Sequence, residues 1–128
     1  MNDNIRPDDD VRNAFVEADP DGPFVMVNFL RFKPGGGSRE YGRYGSAFAK
    51  LIKQYGGRFL YNGRVAEKFV GDEDWHAVAL VEYPSRRAFS DLTTSDAYRE
   101  IHPHREDGLE KTQVYATIPL DRAKSGLD

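Results

Sequence analysis

The segment at residues 50–61 constrains the fold most, because it contains the end of one element and the start of the next. Apolar side chains recur at spacings of three and four before and within it, which predicts one buried face of a helix over residues 38–55. These side chains are Tyr41, Tyr44, Phe48, Leu51, Ile52 and Tyr55. Gly56 and Gly57 predict the end of that helix. The β-forming residues from Arg58 onward predict a strand directly after it.

The other elements follow from apolar runs and from the breakers between them. Strands are predicted at residues 24–32, 58–70, 75–83 and 112–118, and helices from residue 85 and at 95–102. The second strand is expected to bend near Asn62, and Pro103 is expected to end the last helix. A short helix with Val11 and Phe15 on its apolar side precedes the breakers at residues 19–23.

This order predicts an α+β fold of the ferredoxin-like type, βαββαβ, with an antiparallel sheet and both helices on one face. The strand at 24–32 is apolar nearly throughout, so its second face also needs a cover. The simplest cover is the sheet of another copy, which predicts a homodimer that pairs through its sheet faces into an α/β barrel. The predicted organisation is an N-terminal extension with a short helix (1–22), the folded domain (23–119) and a flexible tail (120–128).

Composition excludes several classes of function. The chain of 128 residues has 18 basic and 21 acidic side chains, a net charge of −3, which argues against a nucleic-acid partner. It has no cysteine, which removes disulfides and thiolate chemistry. Its apolar runs are shorter than the roughly 20 residues that span a bilayer, and its first residues do not resemble a secretory signal. A cytoplasmic protein without membrane contact is expected.

Five short motifs, in order, are similar to domain-of-unknown-function family 1330, within the dimeric α/β-barrel superfamily. They are VNFLRF at 27–32, YGGRFL at 55–60, VEYPS at 81–85, TSDAY at 94–98 and HREDGL at 104–109. The resemblance runs from about residue 24 to residue 118 and implies the ferredoxin-like fold and the dimer. It carries over no catalytic residues, because the family has no established activity. The wider superfamily includes cofactor-free monooxygenases, haem-degrading enzymes, decarboxylases and muconolactone-type isomerases, which is an analogy of fold alone.

Two residues of the first strand and first long helix are candidate catalytic groups. Asn28 is the polar residue of an apolar strand, so its amide either meets a ligand carbonyl or pairs with a tyrosine or the backbone nearby. Tyr44 can relay a proton, or it can be a core residue with a polar edge.

Two histidines flank Pro103. His102 and His104 stand two apart, and in extended chain they point the same way, so either is a candidate acid or base at the mouth of a pocket. Glu106 or Asp107 would add a carboxylate for a metal, but the remaining histidine is distant, so no metal site is predicted. Arg105 is interpreted as half of a surface ion pair.

A pocket between the sheet and its helices is expected to bind a small molecule. The residues predicted to bind the substrate are Phe24, Met26, Phe48, Arg58, Tyr61 and His76. His76 has the alternative of a surface position beside the acidic turn at residues 72–74. The glycines at 35–37 lack the Lys and Ser or Thr of a phosphate loop, and no dinucleotide fingerprint occurs, so no cofactor is predicted.

Three functions remain open from sequence. The first is a small cofactor-independent enzyme that acts on an aromatic or polyketide-like molecule by proton transfer, isomerisation or oxygenation. The second is a non-catalytic dimeric module that binds a small hydrophobic molecule. The third is a dimer with a filled core and an interaction role alone.

Overall fold

The computed structural model describes residues 9–120. Its helices are α1 (Asp9–Ala18), α2 (Gly37–Leu51), α3 (Arg86–Thr93) and α4 (Asp96–Gly108), and a 3-10 turn (Ile52–Tyr55) continues α2. Its strands are β1 (Phe24–Phe32), β2 (Arg58–Arg64), β3 (Ala77–Tyr83) and β4 (Leu109–Thr117). The strands form one antiparallel sheet in the order β2-β3-β1-β4. The predicted ferredoxin-like α+β fold is confirmed.

The alternation of β1 assigns its side chains to the two faces of the sheet. Phe24 and Leu30 are fully buried and pair with Tyr83 and Ala77 of β3, so the even-numbered positions face the helices. On that side Phe24 stacks on Tyr83 with ring centroids 5.3 Å apart. The main core lies between this face and the helices, and it includes Phe48, Leu51, Ile52, Val81 and Leu92.

The predicted end of the first long helix is confirmed. Gly56 has φ of 77°, a left-handed conformation that side chains with a Cβ rarely adopt, and its N–H caps the 3-10 turn. The chain enters β2 at Arg58, as the sequence predicts.

The prediction that Pro103 ends the last helix is wrong, because α4 continues to Gly108. A proline inside a helix removes one backbone hydrogen bond and costs about 3 kcal/mol relative to alanine. Here Tyr98 lies before Pro103 and Arg105 and Gly108 lie after it, and all three are buried. Packing on both sides of the proline therefore holds the helix together against its local preference.

Strands β2 and β3 are shorter than predicted. β2 ends at Arg64, and β3 begins at its partner Ala77. Beyond them the pairing continues only as far as a 2.8 Å hydrogen bond from the N–H of Val65 to the carbonyl of His76. β2 is an edge strand, and Phe69 in this connection is almost fully exposed despite its high strand propensity. β4 begins at Leu109, three residues earlier than the predicted start at 112. It follows directly after α4, which is longer than predicted.

Helix α1 packs on the rest of the fold. Phe15 meets the ring of Phe24 edge-on at 5.3 Å, and the guanidinium of Arg86 lies 4.6 Å from the centre of the Phe15 ring. Arg86 also donates a hydrogen bond to the carbonyl of Phe15 at 3.0 Å. The predicted tail, apart from residue 120, and the first residues of the predicted extension lie outside the described residues.

The other face of the sheet carries the odd-numbered side chains of β1. Val27 pairs with Leu80 of β3 and with Tyr115 of β4. Phe29 contacts Trp75 and Tyr115, with ring centroids 5.8 and 6.3 Å away. We call this surface the outer sheet face. Its centre is apolar, while Glu82, Gln113 and Arg31 lie around that centre, and it lies opposite the face that the helices cover.

Candidate functional site

A cavity of about 990 Å³ lies between the sheet and the four helices. Small residues line facing walls of it: Ala77, Ala79 and Ala116 on the sheet, and Gly42 and Gly45 on α2. Larger side chains at these positions would fill the space between the layers, as in an ordinary core. The spacing of small residues on β3 and α2 therefore produces the cavity.

Three polar side chains of the cavity wall, Tyr44, Tyr98 and His102, form a chain that continues to Glu106, which does not line the cavity. The hydroxyls of Tyr44 and Tyr98 lie 3.1 Å apart, and the Tyr98 hydroxyl lies 3.2 Å from Nδ1 of His102. Nε2 of His102 lies 3.6 Å from a carboxylate oxygen of Glu106. Tyr98, His102 and Glu106 are four residues apart, so consecutive turns of α4 present them on one side. We call these four residues the polar relay.

Arg105 is the charged group deepest in this region, with a relative exposure of 8%. It hydrogen-bonds Tyr41, and Tyr44, Tyr98 and Tyr83 are close enough to interact with its charge. Burial acts to lower the pKa of Arg105, but the four tyrosines outweigh it and raise that pKa. The guanidinium is therefore a permanent positive charge beside the phenols.

Burial raises the pKa of three phenols in this cluster. It raises the pKa of Tyr44 well above the ordinary value, and the neighbouring Tyr98 adds to the shift. The pKa values of Tyr41 and Tyr83 are also raised, again mainly by burial. Each of these phenols is therefore neutral at ordinary pH and keeps a proton that it can donate.

Asn28 lies in the cavity wall with its amide nitrogen 3.3 Å from the carbonyl oxygens of Met26 and Ala79. The amide is thus paired with the backbone, one of the two alternatives that the sequence left open. On the α1 side of the cavity, Arg12 donates a 2.7 Å hydrogen bond to the hydroxyl of Thr93.

The structure brings half of the predicted site residues together. Met26, Asn28, Tyr44, Phe48 and His102 line the cavity. The other five lie away from it, contrary to the expectation that they surround a pocket: Phe24, Arg58, Tyr61, His76 and His104.

The histidines separate because α4 continues through Pro103. Residues two apart on a helix point in nearly opposite directions, so His102 faces the cavity while His104 turns away. His104 hydrogen-bonds Glu40 of α2, and this bond lowers the pKa of the Glu40 carboxyl.

Three of the other residues are directed elsewhere by the sheet. Arg58 forms a 2.8 Å ion pair with Glu82 across β2 and β3, and Tyr61 is exposed. A bulge between Phe59 and Tyr61 shifts the alternation of β2, so Asn62 faces the cavity instead. His76 precedes β3, and its Nδ1 accepts a 3.0 Å hydrogen bond from the backbone of Phe32.

The sequence did not single out Tyr98 as a site residue, and it suggested other roles for Arg105 and Glu106. The predicted surface position of Arg105 is wrong, since the side chain is buried at the cavity. The spacing of Tyr98, His102 and Glu106 was visible, but it indicates a common face only if the helix passes through Pro103. Phe24, for its part, is fully buried in the core between α1 and Tyr83.

Within residues 9–120, no three His, Asp or Glu side chains converge in a way that would hold a metal ion. No helix in that part of the chain has the length and apolar character to cross a membrane.

Comparison with solved structures defines the class of the fold. The chain is similar to a DABB family protein with a ferredoxin-like fold from Mesorhizobium loti, with a TM-score of 0.59, 18% identity and coverage of 77% of this chain and 98% of that one. It is also similar to a hydroxynitrile lyase from Passiflora edulis, with a TM-score of 0.62, 15% identity and coverage of 78% and 95%. At these identities the likeness shows the fold alone.

A family model and a more similar solved structure establish the family of this chain. The model of the domain of unknown function DUF1330 matches residues 37–117, and the chain belongs to this family. A protein of unknown function from Rhodopseudomonas palustris is 30% identical with a TM-score of 0.84, over 91% of this chain and 96% of that one. No curated protein matches the sequence.

Proposed function

We propose that the protein is a cofactor-independent enzyme that moves a proton on a small aromatic or polyketide-like molecule bound in the cavity. The polar relay carries this proposal, because it joins the cavity wall to a histidine that has a carboxylate behind it. The cavity is large enough for a molecule of two or three fused rings, and most of its wall is apolar.

The reaction class is proton transfer next to a carbonyl. The C–H bond breaks, its electron pair moves into the carbonyl to form an enolate, and the proton goes to the oxygen of Tyr44. Tyr44 passes its own proton to Tyr98, and Tyr98 passes its proton to Nδ1 of His102. Glu106 beside Nε2 stabilises the imidazolium that forms. Return of a proton to another carbon completes an isomerisation.

The raised pKa of Tyr44 fits a group that passes a proton on better than one that starts as a phenolate base. Burial disfavours an isolated phenolate at this position, so Tyr44 must lose its proton as it gains one. His102 lies two hydrogen bonds away, at the half-buried end of the relay, and it takes up the proton and the positive charge instead. The hydroxynitrile lyase of similar fold is an enzyme named for a small-molecule substrate. This analogy of fold supports the proposal of a small-molecule enzyme.

Deuterium uptake from heavy water into benzoylacetone, followed by NMR, tests the proposal. Tyr44→Phe removes one hydroxyl and keeps the ring, and we expect the enzyme-catalysed uptake to fall by about 100-fold. Tyr55→Phe makes the same change outside the cavity and is expected to keep the wild-type rate. Uptake that is equal in the two variants would contradict the relay. Binding of benzoylacetone without any catalysed uptake would favour the non-catalytic binding module.

If the protein were a dimer with a filled core, it would have no cavity larger than a few water molecules, whereas the structure has one of about 990 Å³.

The predicted dimer does not depend on whether the core of each copy is filled. We propose that a second copy covers the outer sheet face, because β1 presents Val27 and Phe29 there beside Leu80 and Tyr115. Apolar side chains that share one continuous face are typical of the centre of a homodimer interface.

A further inference from the structure

The side-chain amide of Asn28, in the middle of β1, has a fixed orientation in the cavity wall. Its nitrogen donates to two backbone carbonyls of the sheet, those of Met26 and Ala79, at 3.3 Å each. The reversed amide would set its oxygen against these two acceptors, so the neighbours themselves decide which end is which. Both N–H groups are used within the sheet, and the oxygen Oδ1 is the end of the amide that is left for a ligand.

The oxygen Oδ1 of Asn28 has no hydrogen bond to another group within residues 9–120. It belongs to a side chain that lines the cavity, so a molecule bound there meets it directly. An amide oxygen accepts hydrogen bonds and cannot donate them, so its partner must be an O–H or N–H group. The alternative from sequence, an amide that meets a ligand carbonyl, would need the N–H groups that the backbone already holds.

The neighbouring strands leave room for a ligand group beside Asn28. Asn28 of β1 and Asn62 of β2 both pair with Ala79 of β3, so the three residues lie in one row across the sheet. All three line the cavity. Adjacent strands are about 4.8 Å apart, which puts about 9–10 Å between the backbones of the two asparagines. Between them the wall rises only by the methyl group of Ala79, so a hydroxyl group can approach Oδ1 from above this alanine.

We propose that the ligand of this cavity is an aromatic molecule with a free hydroxyl group, which donates a hydrogen bond to Oδ1 of Asn28. The rings of Phe48 and Phe59 in the wall pack against the ring that bears the hydroxyl. A ligand of similar shape without the donor takes the place of water at Oδ1 and leaves the oxygen unpaired, so it binds less tightly. This inference rests on the proposed function only in that both place the ligand in the same cavity. It narrows the substrate class and makes Asn28 a specificity-determining residue.

Binding of 2-naphthol and 2-methoxynaphthalene to the wild-type protein tests the proposal. The two probes share the ring and the oxygen, and only naphthol has an O–H to donate. Both fluoresce, so the anisotropy of each probe measures its binding as protein is added. We expect naphthol to bind at least about fivefold more tightly, the size of one neutral hydrogen bond. Equal affinities, tighter binding of methoxynaphthalene, or no measurable binding of naphthol would overturn the inference.

The Asn28→Leu variant locates the effect and separates it from the extra methyl group of methoxynaphthalene. Leucine keeps the branched shape and removes the acceptor, so we expect the preference for naphthol to be lost. Asn13→Leu makes the same change at an exposed position of α1 outside the cavity wall, and it is expected to keep the preference. If Asn28→Leu does not fold, as judged by circular dichroism, Asn28→Ala removes the same oxygen without added bulk. A preference for naphthol that persists in either folded variant would overturn the assignment to Asn28.

The two proposals fail separately. Equal binding of the two naphthalene probes leaves the deuterium uptake of the relay untouched. Absence of catalysed uptake, with naphthol still preferred, removes the enzymatic proposal and leaves a cavity that binds hydroxylated aromatic molecules.

Discussion

Tyr41, Tyr44 and Tyr83 surround the guanidinium of Arg105, and their burial raises the pKa of each phenol. In the unfolded chain a tyrosine loses its proton near pH 10. Above that pH the unfolded state is therefore stabilised by ionisation, whereas these three phenols stay protonated in the folded state. The cluster couples stability to pH on the alkaline side.

We expect the free energy of unfolding to be unaffected by these tyrosines below about pH 9 and to fall as pH rises above about 10. Each phenol that stays protonated in the folded state makes the free energy of unfolding fall by about 1.4 kcal/mol per pH unit in this range. Urea denaturation across this range measures the slope, and Tyr44→Phe should lower it by one such increment. An unchanged slope in that variant would show that Tyr44 ionises normally in the folded protein.

Residue types indicated the chemistry of the site better than its geometry. Tyr44 and Asn28 stood out as polar groups within apolar patterns, and both line the cavity. Arg105 gave no such signal, because its neighbours in sequence are charged and resemble a surface segment. Its burial depends on tyrosines contributed by α2, α4 and β3, which only the folded chain brings together.

At the scale of elements, α2 and α4 approach closely at two glycines. A Cβ on Gly108 would lie 2.7 Å from the carbonyl oxygen of Gly37, and the reverse contact is equally short. Both obstacles are backbone atoms, which cannot move aside as a flexible side chain does. This approach fixes the end of α4 against the start of α2, and it thereby sets the position of Arg105.

Gly108→Ala is expected to lower the free energy of unfolding by about 1–3 kcal/mol, because the added methyl group overpacks this crossing. Gly42→Ala is the matched control within α2, where an added Cβ meets no atom within 4 Å. There alanine should stabilise the helix by up to about 1 kcal/mol. Chemical denaturation of both variants measures the difference. Equal effects would show that the two helices do not meet as described.

Element types were predictable, and their ends were not. Periodicity and glycines located β1, α2 and the stop at Gly56, since those signals are local. The end of α4 was missed because the local rule for Pro103 is outweighed by burial on both sides of it. That one error led to the expectation that the two histidines point the same way, and it gave His104 a predicted role at the pocket, although His104 pairs with Glu40.

At the scale of the whole molecule, the apolar centre of the outer sheet face supports the proposed dimer. Light scattering is expected to give twice the mass of the chain. Val27→Glu would bury a charge between the two sheets, so we expect it to produce a monomer. Val70→Glu makes the same change at a position that is 87% exposed, and it should leave the dimer intact. A monomeric wild type, or a dimeric Val27→Glu, would contradict this arrangement.

In the proposed reaction His102 receives the proton through Tyr98 and Tyr44, so the His102→Gln variant is the decisive one. Deuterium uptake into benzoylacetone is measured for the wild type and for this variant, with binding of benzoylacetone by both confirmed by calorimetry. We expect catalysed uptake by the wild type and a rate about 100-fold lower in the variant, at unchanged affinity for benzoylacetone. Uptake no faster than in buffer for the wild type, or an unaffected rate in His102→Gln, would contradict it.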